Sequence, residues 1–215
     1  MKLTNFSNFI KEMPCQNLGF DIKAQNWKVQ SQQKNIDRIF NGEEIITLNR
    51  YDLENAKLNT TDFILKTLMW GYPTKGRGKN IDNLLSDTSL KTLIQTLNGY
   101  RYKDITIDQF KADTKSISGL GLSTMSKFTN FLNTTINGHK AVILDLQIIN
   151  TINRGTFEEF NSLKKITYVN ALNKYEHYIS IIEKLAKTTK AKPDQIENFI
   201  FLFGRSISDI KKPNK

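Results

Sequence analysis

The chain has 215 residues, with 31 Lys and Arg against 21 Asp and Glu, a formal charge of +10. Its apolar share of 39% can fill a core, and no stretch approaches the ~18 uninterrupted apolar residues of a membrane span. One cysteine, Cys15, and two distant histidines, His139 and His177, exclude an internal disulfide, a structural zinc site and a four-cysteine iron–sulfur cluster. The excess of cations points to a polyanion, nucleic acid before anionic membrane. The opening MKLTNFSNFIKEMP has neither a long apolar run nor a small-residue cleavage site. No leader is therefore expected, and the expectation is a cytoplasmic, monomeric protein without metal or cofactor.

In chain order, a short amphipathic piece carries Phe6, Phe9 and Ile10, followed by the polar run AQNWKVQSQQKN and a helix around Ile36–Phe40. Phe63, Ile64, Thr67 and Leu68 repeat at helical spacing, and Gly71-Tyr72-Pro73 stops them. Leu90, Leu93, Ile94 and Leu97 mark another helix, with Ser86 or Asp87 as its cap and Gly99 as its stop. Ile105–Phe110 reads as a short helical turn, and Met125, Phe128, Phe131 and Leu132 line a helix ending near Thr134. After Asn137-Gly138-His139-Lys140 comes the apolar run Ala141–Leu144, closed by Asp145. A helix with Leu146, Ile149 and Ile152 inward then ends near Arg154-Gly155. Two more helices are expected over 159–188, with a break, and 193–204, the second opened by Pro193 and Asp194. No alternating strand pair joined by a hairpin turn stands out, so the fold class is mainly α.

The stretch SISGLGLSTMSKF, residues 116–128, sets two glycines one residue apart before a helix. Glycines let a backbone approach another surface closely. The amides from Leu120 to Thr124 then open the helix, where unpaired N–H groups and the dipole favour an anion. A DNA phosphate suits that site, held by Gly119, Leu120, Gly121, Ser123 and Thr124, with Lys127 one turn on facing phosphate or solvent. A lone Gly-x-Gly is more often only a tight corner. Here, however, a carboxylate follows at the end of an apolar run, on the next helix start.

Ile117–Thr124 together with Ala141–Arg154 resembles the helix-hairpin-helix DNA glycosylases. Their pattern is an apolar residue, any residue, Gly, apolar, Gly, two residues and Thr, then an apolar run closing on the catalytic Asp. Two further segments, Trp70–Asn80 and Pro193–Arg205, are similar to bacterial proteins of the 8-oxoguanine glycosylase-like branch, which includes phage-defence enzymes. The resemblance covers most of the chain from about residue 60 and leaves the first 50 residues unmatched. It implies a two-lobed helical fold with a central DNA- and base-binding cleft. The expected divisions are an N-terminal segment at 1–60 and a glycosylase domain at 61–215, its helix-hairpin-helix at about 110–134.

The same resemblance makes Asp145 the catalytic carboxylate, stabilising positive charge on the deoxyribose or activating water. Bifunctional members carry a Schiff-base lysine where this chain has Ser123, and a serine forms no imine. The expected reaction is therefore hydrolysis that leaves an abasic site in double-stranded DNA containing a modified base. Lys127 is a remote substitute for the missing amine. In the loop after Gly71, Tyr72, Lys75, Arg77 and Asn80 are expected to contact an extruded base or nearby phosphates, while Trp70 is assigned to the core. Gln32, Gln33 and Asn35 are candidates, on residue type alone, for the side chain that fills the gap left in the duplex. His139, in the loop before Asp145, is a candidate to approach a phosphate, with an ordinary surface histidine as the commoner case. Two targets stay open: an oxidised purine, and a hypermodified cytosine of phage DNA, toward which the absent lysine inclines the reading. A non-catalytic DNA-binding protein, with Asp145 only a helix cap, is the rival.

Overall fold

The computed structural model describes residues 1–76 and 78–207; Arg77, one of the expected loop contacts, lies outside the described residues. The fold is mainly α, with a two-stranded and a three-stranded sheet beside the helices. Two compact units share the chain. One comprises Pro14–Ala141, the other Met1–Met13 with Val142 onward.

In the 14–141 unit, Gly19–Lys23 pairs antiparallel with Ile45–Asn49, Gly19 opposite Asn49 and Lys23 opposite Ile45. The sequence reading finds no such pair. The strands are joined through the helix Gln33–Phe40 instead of a tight turn, so the dipeptide signal of a hairpin never links them. Asn49 ends its strand and opens the helix Arg50–Asn55 with a capping box: its side chain accepts from the Asp52 amide, and Asp52 accepts from the Asn49 amide. That register places Arg50 inside. Its guanidinium lies 5.4 Å from the centre of the Trp70 ring and 5.6 Å from that of Phe131, a desolvated cation–π contact.

Trp70 is core. It meets Phe20 and Phe131 edge-on at 5.4 and 5.3 Å, and its indole N–H donates to the Leu18 carbonyl at 3.3 Å. It sits near the end of the helix Thr60–Gly71, which is capped by Asn59 and packs on the helix Leu122–Phe131 through Phe63 and Phe128, 5.9 Å apart. Pro73 ends it, because a residue before proline is pushed out of the helical region. The next long helix, Asp87–Tyr100, runs through Gly99. Gly99 is its last residue but one, so the expected stop falls within one residue of the observed end. Ile107–Ser116 is a full helix, capped by Thr106, where a short turn is expected.

The unit closes in the small sheet Asp104–Ile105, Thr135–Ile136, His139–Lys140. Asp104 accepts from the Thr135 hydroxyl at 2.7 Å and from the Gly138 amide at 2.9 Å. That pins the turn leading into the run toward Asp145.

In the other unit, Phe6 packs on Phe199 and Phe157, with ring centres 5.2 and 6.4 Å away. The Leu3 amide donates to Glu159 and the Gln195 amide group to the Lys11 carbonyl, so residues 1–13 are tied to this unit along their length. Its longer helices are Leu146–Arg154, Ala171–Thr189 and Pro193–Phe203; where a helix is expected from 159, a 3-10 segment, Glu158–Leu163, stands instead and the α-helix begins only at Ala171. Leu146 departs from expectation: it is 56% exposed, while Ile148, Ile149 and Ile152 are buried. It opens the helix, and side chains tilt toward the amino end, so the first residue projects past the packed stripe.

The Gly138 amide, first, and the Thr135 hydroxyl hold the Asp104 carboxyl below the usual aspartate range. A depressed pKa means that its support of the turn is complete above the ordinary value of about 3.9 and is lost only as pH falls through its own lower value. The Gly138 amide resonance should therefore hold steady on acidification past that ordinary value and shift only below it. A midpoint at or above the ordinary value would contradict the assignment.

Candidate functional site

The hairpin belongs to the 14–141 unit. Its two glycines do different things. Gly119 has φ +81°, a left-handed conformation that costs an L-residue ~1–2 kcal/mol. A Cβ there would fall on the Asn80 carbonyl oxygen and come within 2.9 Å of the Leu84 amide nitrogen. The turn is thus seated, backbone on backbone, against the helix Asn80–Leu84. Gly121 has φ −122° and ψ 169°, which any residue adopts. Its missing side chain leaves the amino end of the helix Leu122–Phe131 without a cap group, and no side chain among the described residues caps that end.

The amides of the turn are not all available. Leu120 donates to the Ile117 carbonyl, and Thr124 and Met125 donate to that of Gly121. The Gly121, Leu122 and Ser123 amides donate to no group among the described residues. The expected anion site therefore narrows from Leu120–Thr124 to the middle of that stretch.

Every residue of the helix Leu122–Phe131 is buried, six of them polar or charged. Its polar side chains are absorbed internally: Ser126 on the Ser123 carbonyl, Thr129 on those of Met125 and Ser126, Asn130 on that of Ala141. Lys127 is the exception to the sequence reading. It faces neither solvent nor an open groove but is 4% exposed, its ammonium donating to the Ser123 carbonyl at 3.1 Å and hydroxyl at 2.9 Å. The cause is Gly71. A Cβ there would stand 2.8 and 2.9 Å from Cδ and Cε of Lys127, so its absence makes a channel for the lysine stem.

The loop after Gly71 is tied to the hairpin. The Tyr72 hydroxyl bonds that of Thr124 at 2.7 Å, and its ring lies 5.4 Å from the Lys127 ammonium. Lys75 is spent within the unit, paired with Asp82 at 3.0 Å and donating to the Lys28 carbonyl at 2.6 Å. Asn80 has an exposed side chain, while its carbonyl is the floor beneath Gly119. Of the expected loop contacts, then, Tyr72 and Lys75 act as struts and Asn80 keeps a free face. Gln33 and Asn35 are likewise engaged close by, with Val29 and Asp37 and with Gln32.

Asp145 belongs to the other unit. The run before it is buried yet pairs with no strand among the described residues, so its carbonyls need partners. Two buried tyrosines of the Ala171–Thr189 helix supply them: Tyr175 donates to the Val142 carbonyl at 2.7 Å and Tyr178 to that of Ile143 at 2.9 Å. Set one helical turn apart, they fix the run's direction and hence where Asp145 emerges. Sequence reasoning missed both, because tyrosines at that spacing look like ordinary core. Asp145 caps the helix Leu146–Arg154, Oδ1 accepting from the Ile148 amide at 3.0 Å. Oδ2 takes no hydrogen bond among the described residues, and the side chain is half-buried. One oxygen holds the carboxylate still and the other is available to a cation or a water. No group of three or more His, Cys, Asp or Glu among the described residues is arranged to hold a metal.

The seat beneath Gly119 makes a prediction. Gly119→Ala should lower stability by ~2 kcal/mol or more in urea denaturation, since both φ and the backbone contact oppose a side chain. Gly121→Ala should cost under about 1 kcal/mol, because its backbone conformation is an ordinary one. Equal losses would contradict the division of roles.

No curated protein and no solved structure matches the chain. A family match covers residues 14–201, and so includes most of the N-terminal stretch that carries no recognisable motif. No described helix is long and apolar enough to cross a membrane. The half-free carboxylate at a helix start, the glycine hairpin and the family match agree, and the chain belongs to the family described as "Putative 8-oxoguanine DNA glycosylase OGG-like protein".

Proposed function

We propose that this protein is a monofunctional DNA glycosylase, acting as a cytoplasmic monomer on double-stranded DNA. It excises a modified base and leaves an abasic site. The observation that carries this reading is the single unengaged oxygen of Asp145, on a carboxylate held by the Ile148 amide. Family membership supplies the DNA substrate.

A base stacked in a duplex exposes neither its glycosidic bond nor its sugar to a carboxylate, so the target nucleotide must leave the stack, at a cost of a few kcal/mol. As the C1′–N bond lengthens, positive charge gathers on the deoxyribose. Oδ2 of Asp145 stabilises it by Coulomb attraction, which is stronger where water is excluded. Water then bonds to C1′ through its oxygen as the C1′–N bond breaks, and the nucleobase departs with the bonding electrons and takes up the proton that the water gives up. No covalent enzyme intermediate forms, because Ser123 cannot make an imine. The amides of Gly121, Leu122 and Ser123, which donate to nothing among the described residues, hold a DNA phosphate. In this reading the reaction belongs to residues 61–215, and the first sixty complete the fold.

For the target we propose a hypermodified cytosine, such as the glucosylated hydroxymethyl form in phage DNA, with antiviral defence as the role. Ser123 in place of the lysine supports it. The family description favours an oxidised guanine and base-excision repair, and one experiment separates the two. Duplexes bearing single altered bases, including both candidates, are incubated with the protein and then with alkali. The expected product is an abasic site on one or a few duplexes, cleaved only after alkali. Asp145→Asn should slow base release by roughly 10²- to 10⁴-fold while duplex binding persists. Immediate strand cleavage, a borohydride-trapped adduct, or an Asp145→Asn variant with full activity would each overturn the proposal.

A further inference from the structure

Lys127 is a buried charge whose position works against the stability of the free protein. Its ammonium is bonded to two uncharged oxygens of Ser123 and lies over the Tyr72 ring. No carboxylate pairs with it among the described residues. Neutral oxygens return only part of the hydration that an ammonium gives up on burial. The helix adds to the cost, since the side chain reaches back from Lys127 to Ser123, toward the positive end of the dipole. A leucine or methionine would avoid both penalties. The charge sits beside three amides that donate to nothing among the described residues, so an anion docking there would offset both terms.

Ser123 links the two. It is 8% exposed. An ammonium has no lone pair, so Ser123 Oγ must be the acceptor in the 2.9 Å contact with Lys127. The hydroxyl proton is therefore turned away from the lysine, and no acceptor receives it among the described residues. Tyr72 does not compete, since its hydroxyl is engaged with Thr124.

We propose that Lys127 is a positioning residue that acts through Ser123. It fixes the serine hydroxyl as a donor toward a DNA phosphodiester oxygen and lends the helix amino end a full positive charge. The lysine itself touches no substrate atom and is not a nucleophile. The inference rests on the reading of the chain as a DNA-binding glycosylase and adds to it how the hairpin is charged from within.

The test needs no knowledge of the target base. Binding of a short, unmodified, fluorescent duplex is measured against salt concentration for wild type, Lys127→Met and Ser123→Ala. Each phosphate contact made by a cation contributes about 0.9 to the slope of log K against log salt. Lys127→Met keeps the stem and loses the charge; because the lysine makes no phosphate contact of its own, its slope should be shallower by a fraction of that amount. Ser123→Ala keeps the charge and loses the relay. It should bind roughly tenfold more weakly with an unchanged slope. A purely structural lysine would leave the Lys127→Met slope at the wild-type value, and that result overturns the proposal. So does a Ser123→Ala variant that binds like wild type, which decides the matter alone should Lys127→Met not fold. A borohydride adduct lost in Lys127→Met would make the lysine a nucleophile and also overturn it. Wild-type protein that fails to bind duplex at all would instead remove the functional reading beneath it.

Discussion

The contact between the Gly119 turn and the helix start at Asn80 governs the organisation of the 14–141 unit. Two stretches of main chain meet with no side chain between them. Only glycine allows that distance, and only a left-handed residue allows that turn. From this seat follow the direction of the helix Leu122–Phe131, the alignment of its amino end with Tyr72, and the path of Lys127 across Gly71. The loop and the hairpin, separate motifs in the sequence, are one construction held at Thr124, Gly71 and Asn80.

The other unit uses a different device toward a related end. A carboxylate useful in chemistry must be both fixed and unfinished, with one oxygen held and one left over. Asp145 has that form because the run before it is internal, its carbonyls bound by Tyr175 and Tyr178. A sheet partner would have held the run equally well. Tyrosines on a single helix make its position depend on one rigid element.

Much of this was legible beforehand, for identifiable reasons. Apolar residues at helical spacing place Phe63, Leu68, Leu93, Leu97, Phe128 and Ile152 in the core, and a carboxylate before a periodic run places Asp145 at a helix start. The strands at Gly19–Lys23 and Ile45–Asn49 were hidden because a helix lies between them. Leu146 was misplaced because periodicity says nothing about where a packed stripe begins. The inward turn of Lys127 was beyond any pattern: it depends on Gly71, remote in sequence and known only once two helices pack. The tyrosine partners of Val142 and Ile143 share that obstacle, since a hydroxyl's bond to a distant carbonyl leaves no periodic trace.

Whether the Asp145 carboxylate is built for a cationic sugar can be measured without knowing the excised base. Two duplexes suffice, one with a neutral tetrahydrofuran abasic analogue and one in which a protonated pyrrolidine carries the charge of the transition state. If the account is right, wild-type protein binds the cationic duplex at least tenfold more tightly, as complementarity to a transition state requires, and Asp145→Asn loses that preference while still binding the neutral one. Equal affinity for the two duplexes, or a preference that survives in Asp145→Asn, would contradict it.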